Sequence, residues 1–475
     1  MSIALPSADA TIVARRDEII AGLASLVSPE ALITSEDERR PYESDALTAL
    51  RRLPLAVVLP STTEEVSAVL RYCHTHGVPV VPRGSGTSLV GGSTPREDAV
   101  VVGLSRMNRV LAIDYPNRSA TVQAGVTNLA ITGAVQHEGF FYAPDPSSQL
   151  ACSIGGNIAM NSGGAHCLKY GVTTNNLLGV KVVMLDGTII EVGGSFLDAE
   201  GYDLLGLIVG SEGQLVVVTE ATVRILRAAE GVRPVLFGFS KAASAGAAVS
   251  GIIGAGIIPV AIEYMDKMAI DICESFTKSG YPLDAEALLI IEVEGSEEEI
   301  EQQLTTIISI GKRHGVTTIK RSRSAMETAA IWKGRKSAFG ATGRIADYIC
   351  MDGTIPTGRL VEALAGIDAL VKRCGLRVAN VFHAGDGNLH PLILYDVNDP
   401  VECEKAESCG LDILKLCVEL GGCLTGEHGV GVEKRDLMPL QFSQDDLNQQ
   451  MRVRAVFDPS WLLNPAKVFP LEGRI

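Results

Sequence analysis

The chain has 475 residues, 46% of them hydrophobic and 20% charged, which suits about two to four domains and excludes long disorder, a collagen and a coiled coil. Lys plus Arg total 41 and Asp plus Glu total 56, so the net charge is −15 and we expect no nucleic-acid partner. The N-terminus lacks the continuous apolar stretch of a signal peptide.

The cysteines indicate the redox state of the cellular compartment, and one uncharged segment must be considered as a possible membrane span. Ten cysteines in a chain this long are too sparse for a disulfide scaffold, and the spacing of the last four matches neither a ferredoxin nor a zinc ribbon. Residues 242–262 could span a bilayer by length, but they are rich in Ala, Gly and Ser and contain Pro259. We therefore expect a cytoplasmic protein with reduced thiols and no transmembrane segment.

Residues 54–93 give the clearest local pattern. An apolar run at 55–59 predicts a buried strand, Thr62 and Glu65 predict a capping box, and Gly77 ends the helix that follows. Residues 78–81 predict a second strand. This βαβ unit indicates that part of the sheet is parallel.

Residues 100–230 have a stronger β pattern. Residues 182–192 predict a hairpin that turns at Asp186-Gly187, and residues 215–225 continue the strand pattern. The region is therefore predicted to be α+β with a mixed sheet.

A second domain is predicted from about residue 232. Strands are expected at 235–239, near 260–264 and at 288–294, with one helix ending near Ile253 and an acid-rich helix at 296–313. This alternation predicts an antiparallel sheet covered by helices on one face.

Glycine-rich loops are the main signal for a ligand. They occupy residues 82–93, 155–164 and 210–213. Glycines let successive N–H groups point at an anion, although each loop alone also fits an ordinary turn. The first loop has Leu89 where a Rossmann fingerprint needs its third glycine, and it lacks the Gly-Lys-Ser/Thr of a P-loop. Together the loops favour one large cofactor that carries phosphates.

These loops also carry a family resemblance. Pro82-Arg-Gly-Ser-Gly-Thr-Ser, Ile154-Gly-Gly-Asn with Asn161-Ser-Gly-Gly, and Gly210-Ser-Glu-Gly resemble the FAD-binding signatures of the vanillyl-alcohol-oxidase-type flavoproteins. The tail from Asp458 to Lys467 resembles that family's C-terminal return to the flavin. In particular, the chain resembles the FAD subunit of glycolate oxidase and its D-lactate and D-2-hydroxyglutarate dehydrogenase relatives.

The resemblance implies a fold and a cofactor. It implies an α+β fold with a PCMH-type FAD-binding domain in two subdomains at 1–230, an antiparallel-sheet substrate cap at 231–420, and a segment at 421–475 that rejoins the FAD domain. The first loop lacks the histidine that often binds the flavin covalently, so we expect non-covalent FAD. The implied FAD contacts are Arg83, Gly84, Ser85, Gly86, Thr87, Ser88, Pro144, Ser148, Gly155, Gly156, Asn157, Asn161, Gly163, Gly164, Glu212, Gly213, Val218 and Asn464.

Histidines and a carboxylate form a second group of candidates. His383 and His390 flank an Asp386-Gly387 turn that lets both imidazoles approach one point, and Glu427 precedes His428 in another glycine-rich segment. Two imidazoles and a carboxylate suit zinc, manganese or iron, although each histidine alone also fits a loop residue.

The family resemblance assigns roles to these residues. It implies His383, His390 and Glu427 as metal ligands, His428 as the base that takes the hydroxyl proton, and Arg335 as the cation that binds the substrate carboxylate. Phe339, Cys350 and Leu392 stand where a dicarboxylate-specific relative carries polar groups. We therefore expect a small monocarboxylate.

The sequence favours FAD-dependent oxidation of glycolate or D-lactate to the 2-oxo acid. A dehydrogenase of D-2-hydroxyglutarate or of another D-2-hydroxy acid is the alternative. Two hypotheses belong to other functional classes. One is a metal-dependent hydrolase, and the other is a non-catalytic FAD-binding scaffold. The resemblance also implies a second flavin-domain subunit and an iron–sulfur subunit as partners, which could hold the protein at the inner face of the membrane.

Overall fold

The computed structural model describes residues 4–195 and 201–471. The chain divides into two units. The first comprises Met1–Gly163, Val172–Ala228 and Glu427–Ile475, and the second comprises Gly164–Gly171 and Ala229–Gly426.

The longest described strands have nine residues each and lie in the second unit. They are β1 (Leu32–Ile33), β2 (Ala56–Val58), β3 (Val80–Arg83), β4 (Val100–Gly103), β5 (Val110–Asp114), β6 (Ser119–Gln123), β7 (Phe140–Phe141), β8 (Leu177–Val183), β9 (Ile189–Gly193), β10 (Val217–Arg224), β11 (Leu226–Arg227), β12 (Gly231–Phe239), β13 (Ala261–Asp266), β14 (Ala287–Gly295), β15 (Val316–Arg321), β16 (Asp347–Cys350), β17 (Gly353–Thr354), β18 (Arg377–His383), β19 (Asn388–Leu389) and β20 (Pro391–Tyr395).

The helices alternate with these strands, so the predicted α+β class is confirmed. They are α1 (Ala10–Ala14), α2 (Arg16–Ala24), α3 (Glu36–Arg39), α4 (Thr63–His76), α5 (Asn128–Val135), α6 (Ile154–Met160), α7 (Cys167–Tyr170), α8 (Leu204–Ile208), α9 (Ala242–Gly254), α10 (Lys267–Thr277), α11 (Glu297–Arg313), α12 (Ala325–Lys336), α13 (Ala338–Thr342), α14 (Leu360–Cys374), α15 (Pro400–Glu419), α16 (Met438–Gln441) and α17 (Gln444–Phe457). Among the described residues, we find no helix with both the length and the apolar character that a bilayer crossing requires.

The first unit contains a four-stranded sheet in the order β1-β2-β4-β3 and a five-stranded sheet in the order β5-β6-β10-β8-β9. The predicted βαβ unit is present as β2, α4 and β3. Its two strands are not neighbours, because β4 lies between them and pairs with both in parallel. Thr62 caps α4 by accepting from the Glu65 N–H at 3.1 Å, and Glu65 reaches back to the Ser61 N–H at 2.6 Å.

The end of the chain also belongs to the first unit. The Val80 N–H donates to the Leu462 carbonyl at 2.8 Å, and the Asn464 N–H donates to the Val80 carbonyl at 2.7 Å. The tail therefore lies beside β3, the strand from which the first glycine-rich loop emerges.

The second unit is built on an antiparallel sheet in the order β15-β12-β14-β13-β18, and β18 also pairs with β19 and β20. The prediction that helices cover one face is wrong. Leu236 packs in a core with residues of α10, α12 and α13, whereas the next residue, Phe237, lies against Gly311 of α11. Successive strand residues point to opposite faces, so both faces are covered. The unbroken buried run 287–293 in β14 is typical of such a strand.

Candidate functional site

The first glycine-rich loop leaves β3 at Arg83. Gly86 has φ +72°, which favours glycine, and a Cβ there would strike the Arg83 guanidinium. A Cβ on Gly84 would strike the Ser153 hydroxyl, so the loop packs directly onto the residue that caps α6. Ser85 is exposed, and Gly84, Thr87 and Ser88 are half-buried.

Arg83 itself is turned into the protein. Its Nη1 lies 3.4 Å from the Ser93 hydroxyl and its Nη2 lies 3.3 Å from the Pro41 carbonyl. Burial lowers the pKa of Arg83, and the neighbouring Asp45 opposes that effect. A direct contact between this guanidinium and a cofactor phosphate remains a prediction.

Most of the predicted second loop is helical, because residues 155–160 belong to α6 and only residues 161–164 follow the helix. Gly155 packs so closely that a Cβ would lie 2.9 Å from that of Ala124, and Gly156 donates its N–H to Ser153 at 3.3 Å. Asn157 is buried, and Asn161 ends the helix at φ +52° while its Oδ1 accepts from the Thr174 N–H at 2.9 Å. Gly163 closes this segment of the first unit, whereas Gly164 belongs to the second.

The third loop is bonded to the second. The Gly210 N–H donates to the Ile158 carbonyl at 2.9 Å, and the Glu212 N–H donates to the Ala159 carbonyl at 2.8 Å. Gly213 follows at φ +69°. The tail joins the same place, since Asn464 Nδ2 donates to the carbonyls of Gly92 at 2.9 Å and of Glu212 at 2.6 Å. The first and third loops therefore meet at Asn464.

Glu212 fastens the segment that carries His428. One carboxylate oxygen accepts from the Val430 N–H at 2.6 Å and the other accepts from the Gly431 N–H at 2.8 Å. Burial raises the pKa of Glu212, and the two N–H groups with Lys434 and Lys467 partly offset it. We call this carboxylate and its two N–H donors the Glu212 latch.

The segment after Glu427 touches each of the glycine-rich loops. The Val432 N–H donates to the Val90 carbonyl of the first loop at 2.8 Å. A Cβ on Gly429 would strike Met160, the last residue of α6, and would approach the Glu212 carboxylate of the third loop. The backbone that follows His428 is thus held against these loops, and the His428 side chain is 12% exposed.

Three further predicted cofactor residues lie deeper in the first unit. The Pro144 carbonyl accepts from Asn128 Nδ2 at 3.0 Å, and the Ser148 carbonyl accepts from the Cys152 N–H at 2.8 Å. Val218 lies in β10 within the main hydrophobic core. Their contacts with FAD stay predictions.

In the second unit, the predicted turn brings His383 and His390 together. Gly387 has φ +79°, and His383 pairs with Asn388 across the turn. The two ring centroids are 5.1 Å apart at an interplanar angle of 83°. The edge of Phe339 faces His390 at 6.3 Å.

Sequence reasoning missed the buried carboxylate of Glu263. Its Oε1 lies 2.8 Å from His383 Nδ1, and its Oε2 lies 2.6 Å from Arg335 Nη2. Burial alone would raise the pKa of Glu263, but Arg335 and His383 outweigh it and hold the pKa below its usual value. A glutamate inside an apolar strand run was the available signal, because such a charge needs buried partners.

Arg335 projects from α12 and is 5% exposed. Its Nη2 meets Glu263, while its buried Nε has no hydrogen-bond partner among the residues that the structure describes. A contact between this guanidinium and a substrate carboxylate stays a prediction.

Asp352 is a second acid that sequence reasoning missed. It is fully buried, and its Oδ1 accepts from Asn388 Nδ2 at 3.0 Å and lies 3.4 Å from His390 Nε2. Its Oδ2 accepts from the Gly426 N–H at 3.0 Å. Glu427 follows Gly426 directly in the chain, as the first residue of the first unit's last segment.

Comparisons with known proteins identify the family of the chain. The family profile described as "FAD binding domain" matches residues 54–193, and the one described as "FAD linked oxidases, C-terminal domain" matches residues 229–468. "Glycolate oxidase subunit GlcD" of Escherichia coli (strain K12) is 48% identical over 472 residues, 99% of this chain and 93% of that protein. "D-lactate dehydrogenase" of Archaeoglobus fulgidus is 33% identical over 87% of this chain and 90% of that protein.

A solved structure of p-cresol methylhydroxylase with substrate bound has a TM-score of 0.82 at 16% identity. The alignment covers 97% of this chain and 98% of that one. At this identity the likeness concerns the fold alone.

Proposed function

Because this chain belongs to the FAD-linked oxidases, we propose that it oxidises a small 2-hydroxy acid, glycolate or D-lactate, to the corresponding 2-oxo acid. The matches over nearly the whole chain confirm the family and the FAD cofactor expected from the glycine motifs. Two arguments support this choice of substrate. The first is the names of the relatives at 48% and 33% identity, and the second is the chemistry of the residues around His383.

What supports the proposal most directly is the position of His428. Its segment is bonded or packed to each of the glycine-rich loops, and the Glu212 latch fixes the backbone two and three residues beyond it. A base must stand beside the flavin crevice if it is to act on a substrate that reacts there.

The glycine-rich loops fit FAD. At Gly84 and Gly86 a side chain would strike Ser153 or Arg83, and the buried Asn464 Oδ1 has no partner among the described residues. We assign the cofactor contacts predicted from the sequence to this crevice. FAD is proposed to bind non-covalently, because the first loop offers no histidine.

A divalent metal fits the second group of residues. His383 and His390 lie together, Glu263 orients one of the rings, and Glu427 follows directly on the segment that Asp352 holds. Imidazole and carboxylate donors suit zinc, manganese or iron. His383, His390 and Glu427 are the proposed ligands.

In the proposed reaction, each side chain has one task. When bound, FAD supplies the acceptor for the hydride from carbon 2, and the metal lowers the pKa of the substrate hydroxyl. An imidazole nitrogen of His428 takes the hydroxyl proton. Arg335 binds the substrate carboxylate through N–H groups that Glu263 does not occupy.

The walls near His390 favour a small substrate. The ring of Phe339 lies beside His390, Leu392 is fully buried, and Cys350 pairs with Leu392 between β16 and β20. These side chains offer no cation for a second carboxylate. Glycolate and D-lactate therefore suit this unit better than D-2-hydroxyglutarate.

We also propose partner subunits and a cytoplasmic location. The Escherichia coli relative is named as a subunit of glycolate oxidase, so a flavin-domain subunit and an iron–sulfur subunit are the partners to test. They would also provide attachment at the inner face of the membrane. None of the ten cysteines, which all lie in the described part of the chain, forms a disulfide, and this suits a reducing compartment.

A substrate panel tests the proposal. The purified protein is assayed with glycolate, D-lactate, L-lactate and D-2-hydroxyglutarate against an artificial electron acceptor. We expect flavin absorbance in the protein and turnover of glycolate or D-lactate above that of the other two acids. A colourless protein that hydrolyses esters or amides would replace the proposal with a hydrolase, and a yellow protein without turnover would indicate a scaffold.

A further inference from the structure

Two buried glutamates lie on one face of the second unit's sheet. Glu263 is in β13 and Glu292 is in β14, and Ala261 is the cross-strand partner of Glu292. Residues 261 and 263 point to the same face, so Glu263 and Glu292 are diagonal neighbours. They are 0% and 5% exposed.

Each glutamate carboxylate lies between one imidazole and one donor side chain of α12. Glu263 lies between His383 and Arg335. Glu292 accepts from Trp332 Nε1 at 2.5 Å and faces His166 Nε2 at 3.6 Å. The two carboxylates therefore have similar surroundings, but only Glu263 contacts a histidine that we propose as a metal ligand.

The contact between Glu263 and His383 is fixed from both sides. The two residues are directly opposite each other in the register of β13 and β18, so the backbone pairing sets their separation. The second carboxylate oxygen is held by Arg335 at 2.6 Å. A carboxylate held in this way accepts a hydrogen bond from the Nδ1–H group at 2.8 Å and leaves the acceptor lone pair of the neutral ring on Nε2.

We propose that Glu263 is a positioning residue that fixes the tautomer and ring orientation of His383, so that Nε2 is the metal-binding nitrogen. This step rests on the proposed function, because it needs the metal site. Arg335 has a second task in it, since its Nη2 keeps the carboxylate in place. Removing such a carboxylate weakens metal binding by about 10- to 100-fold in other histidine sites.

The test measures metal affinity in the FAD-loaded full-length protein. Zn²⁺ binding is titrated by calorimetry for the wild type, Glu263→Gln, Glu263→Ala and the matched control Glu292→Gln. Co²⁺ is then bound to each protein, and its visible absorption reports the ligand set. FAD absorbance and the thermal midpoint are recorded for all four proteins.

We expect the Zn²⁺ Kd to rise about tenfold in Glu263→Gln, which keeps an acceptor oxygen, and up to about 100-fold in Glu263→Ala. The Co²⁺ spectrum should change in both. Glu292→Gln should lose comparable stability, because it also alters a buried carboxylate, but its Kd should stay within about twofold of the wild type.

Three outcomes would overturn the inference. Wild-type affinity in Glu263→Ala would show that His383 needs no such partner. An equal loss of affinity in Glu292→Gln would show that the effect is general damage to the sheet. A wild-type protein that binds no Zn²⁺ or Co²⁺ would overturn both this inference and the metal site of the proposed function, whereas the first two outcomes leave that site intact.

Discussion

Changing Glu212 to Gln should reduce turnover and destabilise the protein. The Glu212 latch uses both carboxylate oxygens, one for each N–H of Val430 and Gly431. Glutamine keeps one acceptor oxygen and places an NH₂ group against the other N–H. The change is nearly isosteric, so it tests the hydrogen bonds and the charge more than the packing.

The expected loss in the free energy of unfolding follows from the two hydrogen bonds of the Glu212 latch. Losing one charge-assisted hydrogen bond costs about 1.5–3 kcal/mol, and leaving a buried N–H unpaired costs about 1–3 kcal/mol. The two contributions overlap, and removing a buried carboxylate that burial disfavours offsets part of them. We expect a net loss of about 2–4 kcal/mol in the free energy of unfolding. The looser His428 segment should also lower kcat, and we expect a fall of about 10- to 100-fold, which corresponds to about 1.4–2.7 kcal/mol in the activation free energy.

The assay compares Glu212→Gln with Glu220→Gln. Glu220 is only partly buried, and its carboxylate lies 3.4 Å from Lys181, so its loss should cost at most about 1 kcal/mol. Urea unfolding gives stability, absorbance gives FAD content, and steady-state kinetics separate kcat from KM. A Glu212→Gln protein with wild-type kcat and stability would contradict the proposed role of the Glu212 latch in holding the His428 segment.

Three more predictions follow from the same structure. His428→Ala should lower kcat by about 10²- to 10⁴-fold with FAD content unchanged, and unchanged turnover would remove His428 as the base. A chelator should abolish turnover but leave the flavin spectrum, and added Zn²⁺ or Mn²⁺ should restore it; activity that resists prolonged chelation would argue against the metal. Burial lowers the pKa of Lys467 to about 7, well below that of an unfolded lysine. The folded chain then binds fewer protons than the unfolded chain above pH 7, so wild-type stability relative to Lys467→Met should rise between pH 7 and 10, on the order of 3 kcal/mol. Unfolding curves of the two proteins that shift in parallel with pH would contradict this.

Local elements were predictable from the sequence because local physics sets them. The capping residue Thr62, the hairpin turn at Asp186-Gly187 and the turn between His383 and His390 all depend on spacing or on a backbone angle that a few residues decide. The family and the flavin were also accessible, because glycine-rich loops are short contiguous motifs.

The tertiary structure decided which side chains meet. Glu212 contacts Val430, Glu263 contacts His383, and β4 enters between β2 and β3, and none of these pairings has a local pattern. A buried carboxylate is stabilised by whichever distant donors the packing brings to it, and register alone places Glu263 opposite His383. The sequence by itself therefore determined the class of chemistry, whereas the fold determined which acids hold the histidines in place.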